Sequence, residues 1–163
     1  MFPLERGRTY LTGNMQKGFT LFISIVIAST LLLVATGLIN LAYRQSLISV
    51  AGKDSQNAFY SADTGLECAI YWDVHSPEGI SAFATSTGST INCNKDASNP
   101  SNEWVVGGSS VSSFDLTFLP DPFCATVTVT KGADGSTSIE SKGYNTCSSL
   151  NPRRVERAVR ATY

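Results

Sequence analysis

A single histidine is the first candidate for catalytic chemistry, because imidazole readily exchanges protons near neutral pH. His75 stands two residues after Asp73, and many serines occur along the chain, so an Asp-His-Ser triad can be drawn on paper. The sequence lacks the Gly-x-Ser-x-Gly pattern that positions such a serine. It also lacks a second imidazole and a close cysteine pair, so His75 predicts no metal site. We interpret it as a surface or loop histidine.

The glycines and the acidic side chains offer no catalytic pattern either. Neither Gly-x-Gly-x-x-Gly nor the lysine-bearing P-loop pattern occurs, so no phosphate-binding loop is predicted. The sequence therefore predicts no enzyme, no metal and no cofactor. Four acidic residues are interpreted as the solvated face of a helix: Asp54, Asp63, Glu67 and Asp73.

The thiols of four cysteines are the remaining groups that could react or bind a metal: Cys68, Cys93, Cys124 and Cys147. No two of them are close in sequence, which disfavours a metal cluster. An even number favours two disulfides, although sequence alone permits three pairings and leaves buried free thiols as the alternative. Disulfides persist only in an oxidising compartment, so the question becomes which side of a membrane carries the cysteines.

An uncharged run from Phe19 to Tyr43 is the most prominent segment of the chain. Its roughly 25 residues give a helix of roughly 37 Å, against a hydrocarbon core of roughly 30 Å. A cleavable secretory signal has a shorter apolar region followed by a small-x-small site, and the best candidate, Val34–Gly37, lies inside the run. We therefore expect the segment to span a membrane rather than to be removed.

The charges flanking this run predict its orientation. Residues 1–18 carry three basic side chains against one acidic one, a local +2, so the net charge of −1 leaves −3 for the rest. Only Arg44 follows the run closely, and the positive-inside rule then places residues 1–18 in the cytoplasm and exports all four cysteines. No basic stripe suggests nucleic-acid binding.

The junction before the run is a charged leader that ends in glycine, followed by an aromatic residue and an unbroken apolar segment. It reads Lys17-Gly18-Phe19-Thr20-Leu21. This junction resembles the class III signal of type IV pilins and pseudopilins. The resemblance implies that a prepilin peptidase cuts after Gly18 on the cytoplasmic face and that the new N-terminal Phe19 is methylated. A plain signal-anchor that stays in the bilayer is the alternative.

The same resemblance gives the apolar helix two successive roles. It is first held in the membrane and later packs with copies of itself in the core of a filament. The assembly surface then begins with Phe19, Thr20, Leu21 and Ile23. A second stretch, Ala58–Glu67, is similar to an aromatic-x-Ala-acidic-x-Gly-x-Glu segment that is common in minor pilins, and an ordinary surface helix is its alternative.

Two positions depart from the family pattern. Ile23, the fifth residue after the expected cut, stands where most pilins have a glutamate. Asn40 stands where many major pilins carry a helix-bending proline, and the nearby Gly37 is no equivalent of proline. We interpret Ile23 as a sign of a minor, tip-proximal or priming subunit.

Beyond Arg44, apolar residues recur at spacings of three, four and seven, as on one face of an amphipathic helix. They are Leu47, Ala51, Ala58, Ala62, Leu66 and Ala69. Because most of these side chains are small, the stripe predicts a close approach to another element.

The chain after Ser76 predicts a β-rich region. Residues 81–102 are dominated by polar side chains and predict loops, whereas Phe114–Phe118 and Phe123–Thr130 alternate between apolar and polar positions. Lys131–Ser136 supplies turn residues, so Thr137–Tyr144 can return as the second arm of a hairpin. The last run alternates as well, with Val155, Val159, Ala161 and Tyr163. The expected fold is α+β, a long N-terminal helix packed on an antiparallel sheet, as in pilins.

The hairpin also favours one of the three cysteine pairings. Folding it about Ala133 and Asp134 places Cys124 near Gly143, a few residues from Cys147. Cys124–Cys147 is therefore the first choice, which leaves Cys68–Cys93 to tie the end of the helix to the polar loop. Each disulfide contributes about 2–4 kcal/mol to stability.

These inferences combine into one functional hypothesis. Residues 1–18 form a leader, 19–43 a transmembrane or filament-core helix, 44–75 its amphipathic continuation and 76–163 an exported domain. We expect a minor, tip or priming subunit of a type IV pilus or pseudopilus, a single-pass membrane protein that reaches the pilus or cell surface. The resemblance implies as partners a prepilin peptidase, other pilin subunits, the inner-membrane assembly machinery and the membrane. A membrane-anchored domain that binds a partner without polymerising is the runner-up, and an exported hydrolase is third.

Overall fold

The structure, a computed structural model, describes residues 15–77 and 79–163. One helix, α1 (Met15–Val74), precedes all the strands. The strands are β1 (Gly88–Asn92), β2 (Glu103–Gly107), β3 (Val111–Thr117), β4 (Cys124–Lys131), β5 (Thr137–Tyr144) and β6 (Glu156–Thr162). Contacts divide the chain into two units, Met1–Ile48 and Ser49–Tyr163. The predicted α+β class is confirmed, and most of the predicted leader lies outside the described residues.

The main sheet of the second unit is antiparallel, with the order β3-β4-β5-β6. Its central hairpin joins β4 to β5 through the predicted turn, and Cys124 lies opposite Tyr144, one residue beyond the expected Gly143. Along β4 the residues Ala125, Val127 and Val129 are buried, while the threonines between them are only partly covered. The period-two pattern therefore predicted both the strand and its buried face.

The polar stretch that was expected to form loops contains a strand, which corrects that expectation. β1 pairs with β2 in a separate two-stranded ribbon, with Ile91 opposite Trp104. Ile91 is fully buried and Val106 is 3% exposed, whereas their neighbours on the ribbon are largely exposed. A strand that buries so few side chains has a weak period-two signal, so its serines and threonines resembled loop composition.

Two asparagines in the same stretch are structural rather than solvated. Asn99 and Asn102 are each 1% exposed. Asn99 Nδ2 donates to the Leu119 carbonyl at 3.0 Å, and Asn99 Oδ1 accepts from the Leu119 amide at 2.7 Å. Asn102 makes the same pair of bonds with Thr117, at 2.8 and 3.2 Å. Each side-chain amide thus satisfies buried backbone groups that no strand pairs, which stabilises the segment after β3.

The second half of α1 packs on the main sheet through the predicted stripe, but over less of its length than expected. Ala58, Ala62 and Ala69 are fully buried and Leu66 is 8% exposed. Ala51 is exposed, as is Leu47 at 48%. The periodicity of the stripe is correct, and its buried part begins at Ala58.

Glycines on both sides allow this packing to be close. A Cβ at Gly143 of β5 would overlap the Ala58 carbonyl and the Ala62 backbone, with Ala62 Cα only 2.9 Å away. A Cβ at Gly65 would lie 2.6 Å from Ser141 Oγ and 2.7 Å from Val127 Cγ2. The helix and the sheet therefore meet at backbone distance at Gly143, where a side chain would displace the helix, whereas one at Gly65 would displace Ser141 and Val127.

We predict that Gly143→Ala lowers the free energy of unfolding by about 3 kcal/mol, because overpacking at a backbone contact forces the helix away from β5. Urea unfolding of the full chain in detergent, followed by circular dichroism, measures this. Gly52→Ala is the matched control. A Cβ at Gly52 meets nothing within 4 Å, so alanine there should raise stability by about 0.5–1 kcal/mol through helix propensity. Equal stability of the two variants would contradict the contact.

Candidate functional site

The predicted processing and assembly residues all lie within the first half of α1. Gly18, Phe19, Thr20, Leu21 and Ile23 are exposed, with Phe19 at 68% and Ile23 at 40%. A Cβ at Gly18 would meet nothing within 4 Å. The residues expected to be read by a peptidase and by neighbouring subunits are therefore accessible in the first unit.

Apolar side chains are exposed all around this half of the helix rather than along one stripe. From Phe19 to Tyr43 the large apolar residues show between 40% and 73% of their surface. The helix is long and apolar enough to cross a membrane. Exposure of so much apolar surface to water is unfavourable.

Several polar side chains of the segment donate hydrogen bonds to the carbonyls of their own helix. Ser24 Oγ donates to the Leu21 carbonyl at 2.8 Å, and Thr36 Oγ1 donates to the Leu33 carbonyl at 2.9 Å. Asn40 Nδ2 donates to the Thr36 carbonyl at 3.2 Å, and α1 continues through this position without interruption. These hydroxyls and the amide can therefore enter an apolar environment with a hydrogen bond already made.

The four cysteines of the second unit lie in two pairs at distances that fit disulfides. Cys68 pairs with Cys93 at a Cα separation of 6.1 Å, and Cys124 with Cys147 at 5.5 Å. These are the pairings that the sequence analysis favoured. The first ties α1 to the segment after β1, and the second ties the start of β4 to the chain after β5.

Asp73 accepts hydrogen bonds from three side chains, which corrects the expectation that it belongs to a solvated face. Its side chain is 4% exposed. Lys131 Nζ donates to its two oxygens at 2.6 and 2.8 Å, Tyr163 Oη donates at 2.7 Å, and Ser81 Oγ donates to Oδ1. Asp73 thus joins the end of α1, the end of β4 and the residue after β6. Helical periodicity alone could not show this, because the partners are 58 and 90 residues away.

Burial and hydrogen bonding have opposite effects on this carboxyl. Burial alone would raise the pKa of Asp73, but the bonds from Lys131, Ser81 and Tyr163, with the positive charge of Lys131, hold it below its ordinary value. Burial and the bond to Asp73 raise the pKa of the Tyr163 hydroxyl well above 10.0. Near neutral pH the Asp73 carboxyl is therefore ionised and the Tyr163 phenol is neutral.

The structure does not join Asp73 to His75, two members of the Asp-His-Ser triad that can be drawn from the sequence. Asp73 is engaged by the partners just described, while the exposed His75 stacks on the Tyr71 ring with centroids 5.9 Å apart. None of the hydrogen bonds found in residues 15–77 and 79–163 joins the two side chains. In the same ranges no three His, Cys, Asp or Glu residues lie together as metal ligands.

Among the described residues of the second unit, two open surface depressions adjoin the cysteine pairs. The larger, about 630 Å³, lies beside the Cys68–Cys93 pair, with Glu67, Tyr71 and Asn94 among its lining residues. The smaller, about 290 Å³, lies on the outer face of the sheet beside Cys124 and Cys147. There the Arg154 guanidinium lies 3.8 Å from the centre of the Tyr144 ring, a cation–π contact. Burial raises the pKa of the Tyr144 hydroxyl, and the hydrogen bond and negative charge of the neighbouring Glu156 raise it further.

Comparison of the chain with family models, with curated proteins and with solved structures finds no match to any of them. The layout of a long apolar N-terminal helix on an antiparallel sheet is pilin-like. That likeness concerns architecture, so the function is inferred from the residues described above.

We predict that the Asp73 cluster makes stability depend on pH. Because the folded chain lowers the pKa of Asp73, its stabilisation is complete above the unfolded value of 3.8 and is lost as the pH falls through the lower folded value. Asp73→Asn should lower the free energy of unfolding by about 3 kcal/mol at pH 7, since it leaves Lys131 unpaired. It should also flatten the acid limb below about pH 4, where protonation of Asp73 removes this stabilisation from the wild type.

Urea unfolding of the full chain across this pH range measures both effects. Asp54→Asn is the control, because Asp54 lies on the same helix and its carboxylate takes part in no described hydrogen bond. Identical acid limbs for the wild type and Asp73→Asn would show that the cluster contributes nothing.

Proposed function

We propose that this chain is a structural subunit of a type IV pilus or a related pseudopilus, acting by assembly through the first half of α1. The observation that supports this most strongly is the exposed apolar surface from Phe19 to Tyr43 on the helix that later carries an antiparallel sheet. A soluble helix buries one face and exposes a polar one, whereas this segment exposes apolar side chains on every side. Lipid, or the helices of neighbouring subunits, would cover it.

The free energy of burying apolar side chains explains why lipid or neighbouring helices would cover this segment. Fully burying one large apolar side chain is worth about 1.5–3 kcal/mol, and the segment exposes fifteen of them between Phe19 and Tyr43. Since each is already partly covered by its own helix, only a fraction of this is recovered per residue. The sum is still comparable to the stability of a typical domain, so transfer of the segment from water to an apolar environment is strongly favourable.

The start of the helix fits the role that the pilin resemblance gives it. Gly18 is exposed, and among the described residues nothing lies within 4 Å of a Cβ placed there, which supports access of a peptidase to the bond before Phe19. Under this proposal the residues before Phe19 are removed on the cytoplasmic side, and the second unit is exported with its paired cysteines. A prepilin peptidase, other pilin subunits and the inner-membrane assembly machinery are the proposed partners.

The proposal predicts a mature chain that begins at Phe19. Gly18→Val should abolish cleavage, because the peptidase of the resembling family requires glycine before the cut. Gly37→Val is the matched control: it makes the same change inside the apolar segment, where a Cβ also meets nothing within 4 Å, and should leave processing intact. Mass spectrometry of the N-terminus from cells reads the result. An intact leader, with protein confined to the membrane fraction, would support a non-polymerising anchored domain instead.

Ile23 supports the narrower proposal of a minor, tip or priming subunit. In the resembling family a glutamate at this place pairs with the N-terminal amine of an adjacent subunit inside the filament core. At about 4 Å and an effective dielectric near 20, such an attraction is about 4 kcal/mol. Isoleucine offers no charge, so a filament built mainly of this chain would repeat an unpaired amine in an apolar core.

We predict that sheared filaments contain this chain in trace amounts beside an abundant pilin that carries the glutamate. Ile23→Glu should increase its share, because a carboxylate there can pair with the amine of a neighbour. Ile27→Glu, one turn further along, should lower the share, since it buries a carboxylate without that partner. Quantitative mass spectrometry of the filament fraction measures all three. Finding the wild-type chain as the dominant subunit would contradict the minor role.

A further inference from the structure

β6 forms an open edge of the main sheet. It is last in the strand order, and none of the described residues pairs with its outer side. The other edge differs, because β3 is approached by the ribbon, whose Gly107 amide donates to Ser112 Oγ at 2.9 Å. β6 is seven residues long and in unbroken register with β5, without proline or a bulge. Long regular edges of this kind are normally shortened, kinked or covered.

The hydrogen bonds with β5 show which backbone groups of β6 remain available. Thr137 and Tyr163 exchange both backbone bonds, at 2.7 and 3.0 Å. In an antiparallel pair such exchanges recur at every second residue, so Ala161, Val159 and Arg157 also bond inwards. The amides and carbonyls of the alternate residues face outwards, and these residues are Glu156, Ala158, Arg160 and Thr162.

The side chains on this edge are strongly basic. Residues 153–160 contain four arginines against Glu156 alone, a local +3 in a chain whose net charge is −1. All four arginines are exposed. Arg160 lies opposite Glu140 on β5, and its Nη2 is 3.7 Å from Glu140 Oε1, a long ion pair in which 65% of the Arg160 side chain stays exposed. Arg157 Nε donates to Ser55 Oγ at 2.9 Å. Arg157 and Arg160 point to opposite faces of the sheet, because they are three residues apart.

We propose that the β6 edge binds an extended acidic segment of a partner protein as an added antiparallel strand. The outward backbone groups supply the ladder, and Arg157 and Arg160 select carboxylates on the two faces of the incoming strand. Val159, half-buried between them, favours an apolar residue opposite. Read from its N-terminus, the partner segment has the pattern acidic-apolar-x-acidic, opposite Arg160, Val159, Ala158 and Arg157. This inference is independent of filament formation.

Charge decides against a second copy of this chain as the occupant. Pairing two β6 edges would bring two +3 segments together, and like charges across strands are destabilising. The arginines thus disfavour self-association at the edge and favour an acidic strand. A nucleic acid would satisfy the same arginines, but it would not use the outward backbone ladder.

The experiment titrates the full chain in detergent into the fluorescent peptide Thr-Thr-Asp-Val-Thr-Asp-Thr-Thr and follows polarisation. Ala158→Pro should abolish binding, because it removes one outward amide, while edge proline leaves the inner ladder intact. Arg160→Glu should weaken binding about tenfold, as expected for reversing an exposed charge pair. Lys142→Glu is the matched control, since it makes the same charge change one strand further in, and it should leave binding nearly unchanged.

Two modified peptides test the ladder without altering the protein. N-methylation of the residues opposite Arg160 and Ala158, the first Asp and the middle Thr, should abolish binding, because their amides bond to β6. N-methylation of Val and the second Asp should be tolerated, since those amides point away.

Three outcomes would overturn the proposal. The first is binding that is absent at millimolar peptide or insensitive to Ala158→Pro. The second is peptide binding that Lys142→Glu and Arg160→Glu weaken equally and that single-stranded DNA displaces, which would indicate a surface that binds polyanions in general. The third is a dimer of the chain that Ala158→Pro abolishes, which would make a second copy the occupant.

Discussion

The backbone contact between α1 and β5 is the constraint on which the second unit depends. Ala58 and Ala62 can lie on β5 only because Gly143 has no side chain, and Gly65 allows Ser141 and Val127 to approach from the other direction. This closeness leaves Ser141 Oγ buried without a hydrogen-bond partner among the described residues. A buried hydroxyl without a partner costs about 1–3 kcal/mol, so the packing must more than compensate for it.

Tight packing at one place leaves the ends of the elements to be fixed by other interactions. Asp73 anchors the last turn of α1 to Lys131 and Tyr163, at the end of the sheet where the turn between β4 and β5 lies. The two cysteine pairs act on segments with little apolar surface of their own, the stretch after β1 and the stretch after β5. Specific polar and covalent links thus replace hydrophobic burial where the sequence is rich in serine, threonine and asparagine.

The sequence predicted the parts of the fold that repeat and missed those that depend on single long-range contacts. Alternation in β4 and β5 gave the hairpin to within one residue, because each strand buries every second side chain. Nothing local distinguishes Asn99 or Asp73 from a solvated residue, since the partners Leu119 and Lys131 are 20 and 58 residues away. The edge position of β6 was likewise invisible, because strand order is a property of the assembled sheet.

The apolar surface of the first half of α1 suits two environments, a lipid bilayer and a bundle of similar helices. Ser24, Thr36 and Asn40 each donate a hydrogen bond to their own helix, which lowers the cost of placing them in an apolar environment. Transfer from lipid to a bundle of similar helices therefore changes little in hydrophobic energy. Packing and any newly created charge decide the balance. Cleavage before Phe19 would create one such charge, the α-amino group. Because Ile23 cannot neutralise it, this chain is best accommodated where that amine stays near the interface or has a partner on another subunit.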